Sequence, residues 1–154
     1  MAVKALTGNH YIDGILWGGN HLDSNTITYS FWSNAALDNA YYNIDQTNTT
    51  WFDSEIKAMM LALDTWSNVA NIDFVQTANN TASADLGFAL VDSSEFSALG
   101  AFSPPETFGE GIGYFNWQGT GWNNAGLKQG GFGFVTLIHE LGHALGLAHP
   151  HDNG

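Results

Sequence analysis

Cysteine is absent from the 154 residues. That removes disulfides, thiolate metal sites and thiol nucleophiles together, and leaves His, Asp and Glu as the side chains able to hold a metal ion. Basic residues are scarce as well: Lys4, Lys57 and Lys128 stand alone, without any Arg, against 15 acidic residues, for a formal net charge of −12. A surface of that sign repels phosphate backbones and anionic headgroups, so neither nucleic acid nor a membrane surface is an expected partner, whereas cations are attracted. No window approaches the eighteen or so apolar residues of a membrane span, and the N-terminus lacks the basic-then-apolar pattern of a cleavable signal. Internal repeats and Gly- and Asp-rich calcium nonapeptides are missing too; the run Gly130-Gly131-Phe132-Gly133-Phe134 has no Asp and occurs once. What is present is core material. Hydrophobic residues make up 44% of the chain, with six Trp and ten Phe, enough to offset the chain entropy of one domain of this length.

Residues 26–31, Thr-Ile-Thr-Tyr-Ser-Phe, alternate Ile27, Tyr29 and Phe31 with hydroxyl side chains, the period of a half-buried strand. From Asp53, a good N-cap, residues Ile56, Met59, Met60, Leu63, Trp66 and Ala70 recur at spacings of three and four, which predicts an amphipathic helix ending near 68–71 with both methionines in its core stripe. Further strands are expected at 72–76, at 85–91, where Leu86, Phe88 and Leu90 alternate, and at 111–117. Asn-, Thr- and Gly-rich connectors are expected at 43–50, 77–83 and 118–126, and Pro104-Pro105 marks another turn.

Residues 134–145 place Phe134, Leu137, Ile138, Leu141, Ala144 and Leu145 at helical spacing around His139-Glu140-Leu141-Gly142-His143. Four residues at 100° each bring the second imidazole to within about 40° of the first and one turn along, so both rings reach one ion. Gly146 then suits a left-handed helix stop, from which the chain turns back to present His149. Three neutral imidazoles leave a tetrahedral Zn²⁺ one open position for water, whose pKa the metal lowers toward 7. Glu140, rotated about 100° from His139, is not placed to ligate the same ion but reaches that water as a general base.

The whole pattern, His139-Glu140-x-x-His143-x-x-Gly146-x-x-His149 followed by Pro150, resembles the serralysin-type metzincin endopeptidases. The likeness extends to Ile12-Asp13-Gly14-Ile15-Leu16 before the first strand and to residues 66–74, Trp-Ser-Asn-Val-Ala-Asn-Ile-Asp-Phe, which look like the family's first helix running into its second strand. The resemblance implies an α/β fold, the metzincin upper subdomain: a twisted, mostly parallel five-stranded sheet with one antiparallel edge strand and two helices. It also implies zinc held by His139, His143 and His149, Glu140 as catalytic base, polypeptide substrates, secretion and a monomer. The segment Leu99-Gly100-Ala101-Phe102 resembles the family's edge strand, so Gly100, Ala101 and Phe102 are expected to pair with an extended peptide backbone. Calcium occurs in the family, but no site for it is identified in this sequence.

One departure stands out. In the family the third histidine is followed by a lower subdomain with a methionine turn and by a calcium-repeat domain, whereas here the sequence stops at Gly154 and Met1, Met59 and Met60 all precede the zinc motif. The expectation is therefore a single shortened catalytic domain over 1–154. Two other readings stay open: a module that binds zinc without cleaving, and an acidic surface or adhesion domain in which the motif is idle. Of the remaining histidines, His10, His21 and His151 read as loop residues, with His151 the nearest potential competitor for the ion.

Overall fold

A computed structural model describes residues 7–18, 22, 24–39, 44–94 and 96–150, with the backbone alone for 36–39 and 45–47. The alternation at the first strand is realised in β1 (Thr26–Trp32), where Ile27, Tyr29 and Phe31 are buried on one face. The chain then forms β2 (Ala36–Asn39), β3 (Ile44–Thr47), α2 (Asp53–Ser67), β4 (Asp73–Gln76), β5 (Leu86–Val91), β6 (Gly100–Phe102), β7 (Ile112–Asn116) and α3 (Phe132–Ala144), all preceded by a one-turn helix α1 (His10–Asp13). None of the described helices is long and apolar enough to cross a membrane.

The main sheet has the order β4-β1-β5-β7-β6. β1 pairs in parallel with β4 and β5, β5 with β7, and only β6 runs antiparallel, along β7. This is the five-stranded, mostly parallel sheet with one antiparallel edge strand that the resemblance implied; α1 adds a third helix to the two expected. α2 and α3 lie on the face carrying Ile27, Tyr29, Phe31, Phe88, Phe102 and Phe115, and close the core with Met59, Leu63, Phe134, Leu137 and Leu141. Parallel β1 and β4 require a crossover, and α2 supplies it.

Four local expectations are corrected. The N-cap of α2 is Phe52, with Asp53 already helical; the Phe52 N–H donates to Oε2 of Glu55 at 2.7 Å, so the third helical residue caps from within. The expected connector at 43–50 contains β3, which pairs antiparallel with β2. Met60 is 42% exposed and only Met59 is in the core: neighbouring helix positions point 100° apart, and the stripe passes through 59. Finally, all six residues of β5 are buried, although its alternation suggested one covered face. Ile44 of β3 packs with Ala89, Val91, Phe96 and Tyr114 on the side away from the helices, so the central strand is enclosed on both faces.

Candidate metal centre

α3 carries its exposed and buried residues on different sides, and the motif straddles the boundary. His139 is exposed, His143 half-buried, and Glu140 is only 7% exposed, the divergence expected of adjacent positions on a helix. The helix ends in a paired backbone cap: Gly146 N–H donates to the His143 carbonyl and Leu147 N–H to the Gly142 carbonyl, each at 2.9 Å. Gly146 has φ 94°, a conformation open to glycine at little cost, and the chain folds back there as expected.

The reversal brings three imidazoles together. Nε2 of His139 lies 3.1 Å from Nε2 of His149 and 3.2 Å from Nε2 of His143. The rings stand nearly perpendicular at 139/143 and 143/149 and are stacked at 139/149. Nδ1 of His143 lies 2.8 Å from the Leu147 carbonyl, which only accepts; Nδ1 therefore carries the proton, and the neutral ring offers its Nε2 lone pair inward. A single N–H on the Nε2 of His139 cannot serve both neighbouring nitrogens. Lone pairs thus converge on one point, an arrangement that a cation relieves. Zinc–imidazole bonds of about 2.0–2.1 Å in a tetrahedron separate the ligand nitrogens by about 3.3–3.4 Å, close to the spacings found, so the donor set fits zinc. Burial, followed by the neighbouring His143 and His149, lowers the pKa of His139 and favours the neutral form that ligates.

Glu140 points to the other side, under the sheet edge. Burial pushes its carboxyl up to about 7, opposed by His149 and by a hydrogen bond from the Phe102 backbone. The Asn116 N–H donates to the Leu99 carbonyl and Ala101 lies opposite Tyr114, so residues 99 and 101 turn their backbone polar groups toward β7. Gly100 and Phe102 turn theirs the other way, along the edge that no other described strand pairs with; there the Phe102 N–H already meets Glu140, and the Gly100 groups and the Phe102 carbonyl face outward. The Phe102 side chain is buried in the core and Ala101 is half-buried. A cleft of about 350 Å³ runs along this edge, bounded by Gly100–Phe102, Pro104, Phe108, Trp17, Glu140 and the three histidines.

Among the described residues, His139, His143 and His149 are the one group of three or more potential ligands that converge. His10 is exposed in α1 and outside that group; His21 and His151 lie outside the described residues. Two contributors escaped the sequence reading. Trp66 of α2 donates its indole N–H to the Ile138 carbonyl at 3.2 Å, directly before the first histidine. Leu147 forms an antiparallel bridge with Leu16, a pairing across 131 positions that no local pattern announces.

Residues 31–154 match the family described as Matrixin, Peptidase M10. The Serralysin of Photorhabdus laumondii subsp. laumondii is 31% identical over 140 residues, which cover 88% of this chain and 28% of that protein. Serralysin C of Dickeya chrysanthemi is 30% identical over 146 residues, 90% of this chain and 29% of the relative. Metallopeptidase AprA of Pseudomonas marginalis is 36% identical over 111 residues, covering 66% and 22% respectively. The chain thus spans less than a third of the length of these curated relatives. Among solved structures, myroilysin superposes with a TM-score of 0.51 over 87% of this chain and 54% of its own, at 16% identity, a likeness of fold.

Proposed function

Because the chain belongs to the matrixin family of peptidases, with serralysins among its relatives, we propose that it carries the metal centre of a zinc endopeptidase acting on extended polypeptides. The observation that carries this reading is the meeting of three imidazole Nε2 atoms beside a buried carboxylate beneath the edge strand β6. His139, His143 and His149 hold the metal through Nε2. Zinc bound there supplies Lewis acidity toward a carbonyl and acidifies water.

The chain's own residues do the rest. The backbone groups of Gly100 and the carbonyl of Phe102 pair with a substrate backbone as an added strand, which aligns any extended peptide across the centre with little demand on its side chains. Ala101, turned toward β7, supports that pairing rather than making it. Glu140 accepts the proton of the attacking water on a carboxylate oxygen and returns it to the leaving amine nitrogen. Secretion follows from the kinship with serralysins as part of the same proposal.

Casein turnover by the purified chain, with and without a chelator, tests this. Chelator-sensitive cleavage is expected, together with a fall of about 100-fold or more in Glu140→Gln at unchanged zinc content. Full activity in that variant contradicts the role of Glu140, and stoichiometric zinc without cleavage leaves a binding module instead.

A further inference from the structure

The third histidine lies beyond the end of α3, and something other than the helix has to hold it in place. The cap uses the N–H groups of Gly146 and Leu147. Among the described residues, the other backbone bonds of 146–148 go to one distant segment: Trp17 N–H donates to the Gly146 carbonyl and Ala148 N–H to the Ile15 carbonyl, each at 2.9 Å, on either side of the Leu16–Leu147 bridge. This short ladder sits immediately before His149. It also fixes the Leu147 carbonyl, which receives Nδ1 of His143, and the Trp17 indole stands edge-on to the His143 ring at 6.5 Å.

We propose that residues 15–17 are a positioning strap that pre-orders His149, and through Leu147 also His143, for metal; the proposal rests on the reading of these histidines as ligands. The strap is itself anchored. Asp13 accepts from Thr7 Oγ1 at 2.7 Å and from the Thr7 and Gly8 N–H groups at 2.8 Å, and the N–H groups of Ile15 and Leu16 donate back to the carbonyls of Ile12 and Asp13. α1 and the turn after it therefore present the strap as a folded unit. Without it, the residues leading to His149 would be ordered only when metal binds, and the entropy of fixing them would be subtracted from affinity.

The test uses the full chain and reads zinc affinity by competition with a chromophoric chelator, with thermal melting of the metal-free protein as a control for folding. Trp17→Pro removes the N–H that bonds to Gly146, whereas Trp17→Ala keeps it and removes only the indole. Relative to Trp17→Ala, Trp17→Pro is expected to bind zinc about 10–100-fold more weakly, the usual cost of losing a group that orients a ligand. In a His149→Ala background the same comparison should show a clearly smaller loss, because the strap then acts only through Leu147 on His143. Equal affinities in the parent background, or the same loss in both backgrounds, overturn the proposal. If His149→Ala alone leaves zinc affinity unchanged, the ligand reading itself fails, an outcome distinct from failure of the strap. Should Trp17→Pro lose its melting transition, Asp13→Ala takes its place: a smaller loss that shrinks further without His149 is expected, and undiminished affinity overturns the strap.

Discussion

Gly100 lies directly against Glu140: a Cβ at position 100 would stand 2.7 Å from Cγ of Glu140 and 3.1 Å from its carboxyl carbon. The edge strand thus rests on the carboxylate, and glycine is what permits the contact.

Gly100→Ala must displace either the strand or Glu140. Cleavage is expected to fall about 100-fold, the scale of an ångström-sized misplacement, while zinc affinity stays the same because no histidine is touched. Steady-state kinetics alongside zinc titration check this; unimpaired cleavage would show that the contact yields freely.

Zinc is expected to stabilise the fold. At free zinc of 100 times its dissociation constant the gain is about 2.7 kcal/mol, and at about 2–4 °C per kcal/mol for a domain of this size the melting temperature rises by about 5–11 °C. Calorimetry before and after chelation measures it, and His149→Ala should lose most of the increment.

Trp66 couples the two long helices beside the histidine cluster. Its indole N–H bonds to the Ile138 carbonyl, and a Cβ at Gly142 would lie 3.3 Å from its ring. Trp66→Phe removes the donor and part of the packing, at an expected cost of about 1–3 kcal/mol in denaturant unfolding.

Glu55 is 7% exposed; its Oε1 accepts the Trp122 indole N–H at 2.7 Å while Oε2 accepts from Phe52. Glu55→Ala orphans both donors and should cost about 2–4 kcal/mol, read from the denaturation midpoint. Glu55→Gln keeps one acceptor and should lose less.

Acid should loosen the α1 anchor, whereas neutral pH leaves it intact. The Thr7 hydroxyl, followed by the Thr7 and Gly8 backbones and nearby His10, holds the Asp13 carboxyl below its ordinary value. A depressed carboxylate contributes fully above its unfolded pKa of about 3.9 and loses that contribution as pH falls through the folded value. Amide exchange at Thr7 and Gly8 should therefore show constant protection from pH 7 to about 5 and a loss below about 4.

Much of this architecture is written in local periodicity. β1, α2 and α3 follow from alternation or helical spacing because each buries one face against the same core, and the histidine motif needs only helix geometry plus one glycine stop. What stayed hidden depends on partners far away in sequence. β3 is Ile-Asp-Gln-Thr, polar apart from Ile44, whose burial comes from Val91 and Tyr114. The complete enclosure of β5 follows from that hairpin. The pairing of Leu16 with Leu147 has no composition of its own. Gly100 was legible as part of an edge strand, yet its close approach to Glu140 shows only once the strand and α3 are set side by side.

X-ray absorption at the zinc edge of the loaded protein tests the central claim most directly. Three imidazole nitrogens at about 2.0–2.1 Å with one oxygen ligand are predicted, falling to two imidazoles in His149→Ala; a parent spectrum with two imidazoles or fewer, unchanged by that substitution, would contradict it.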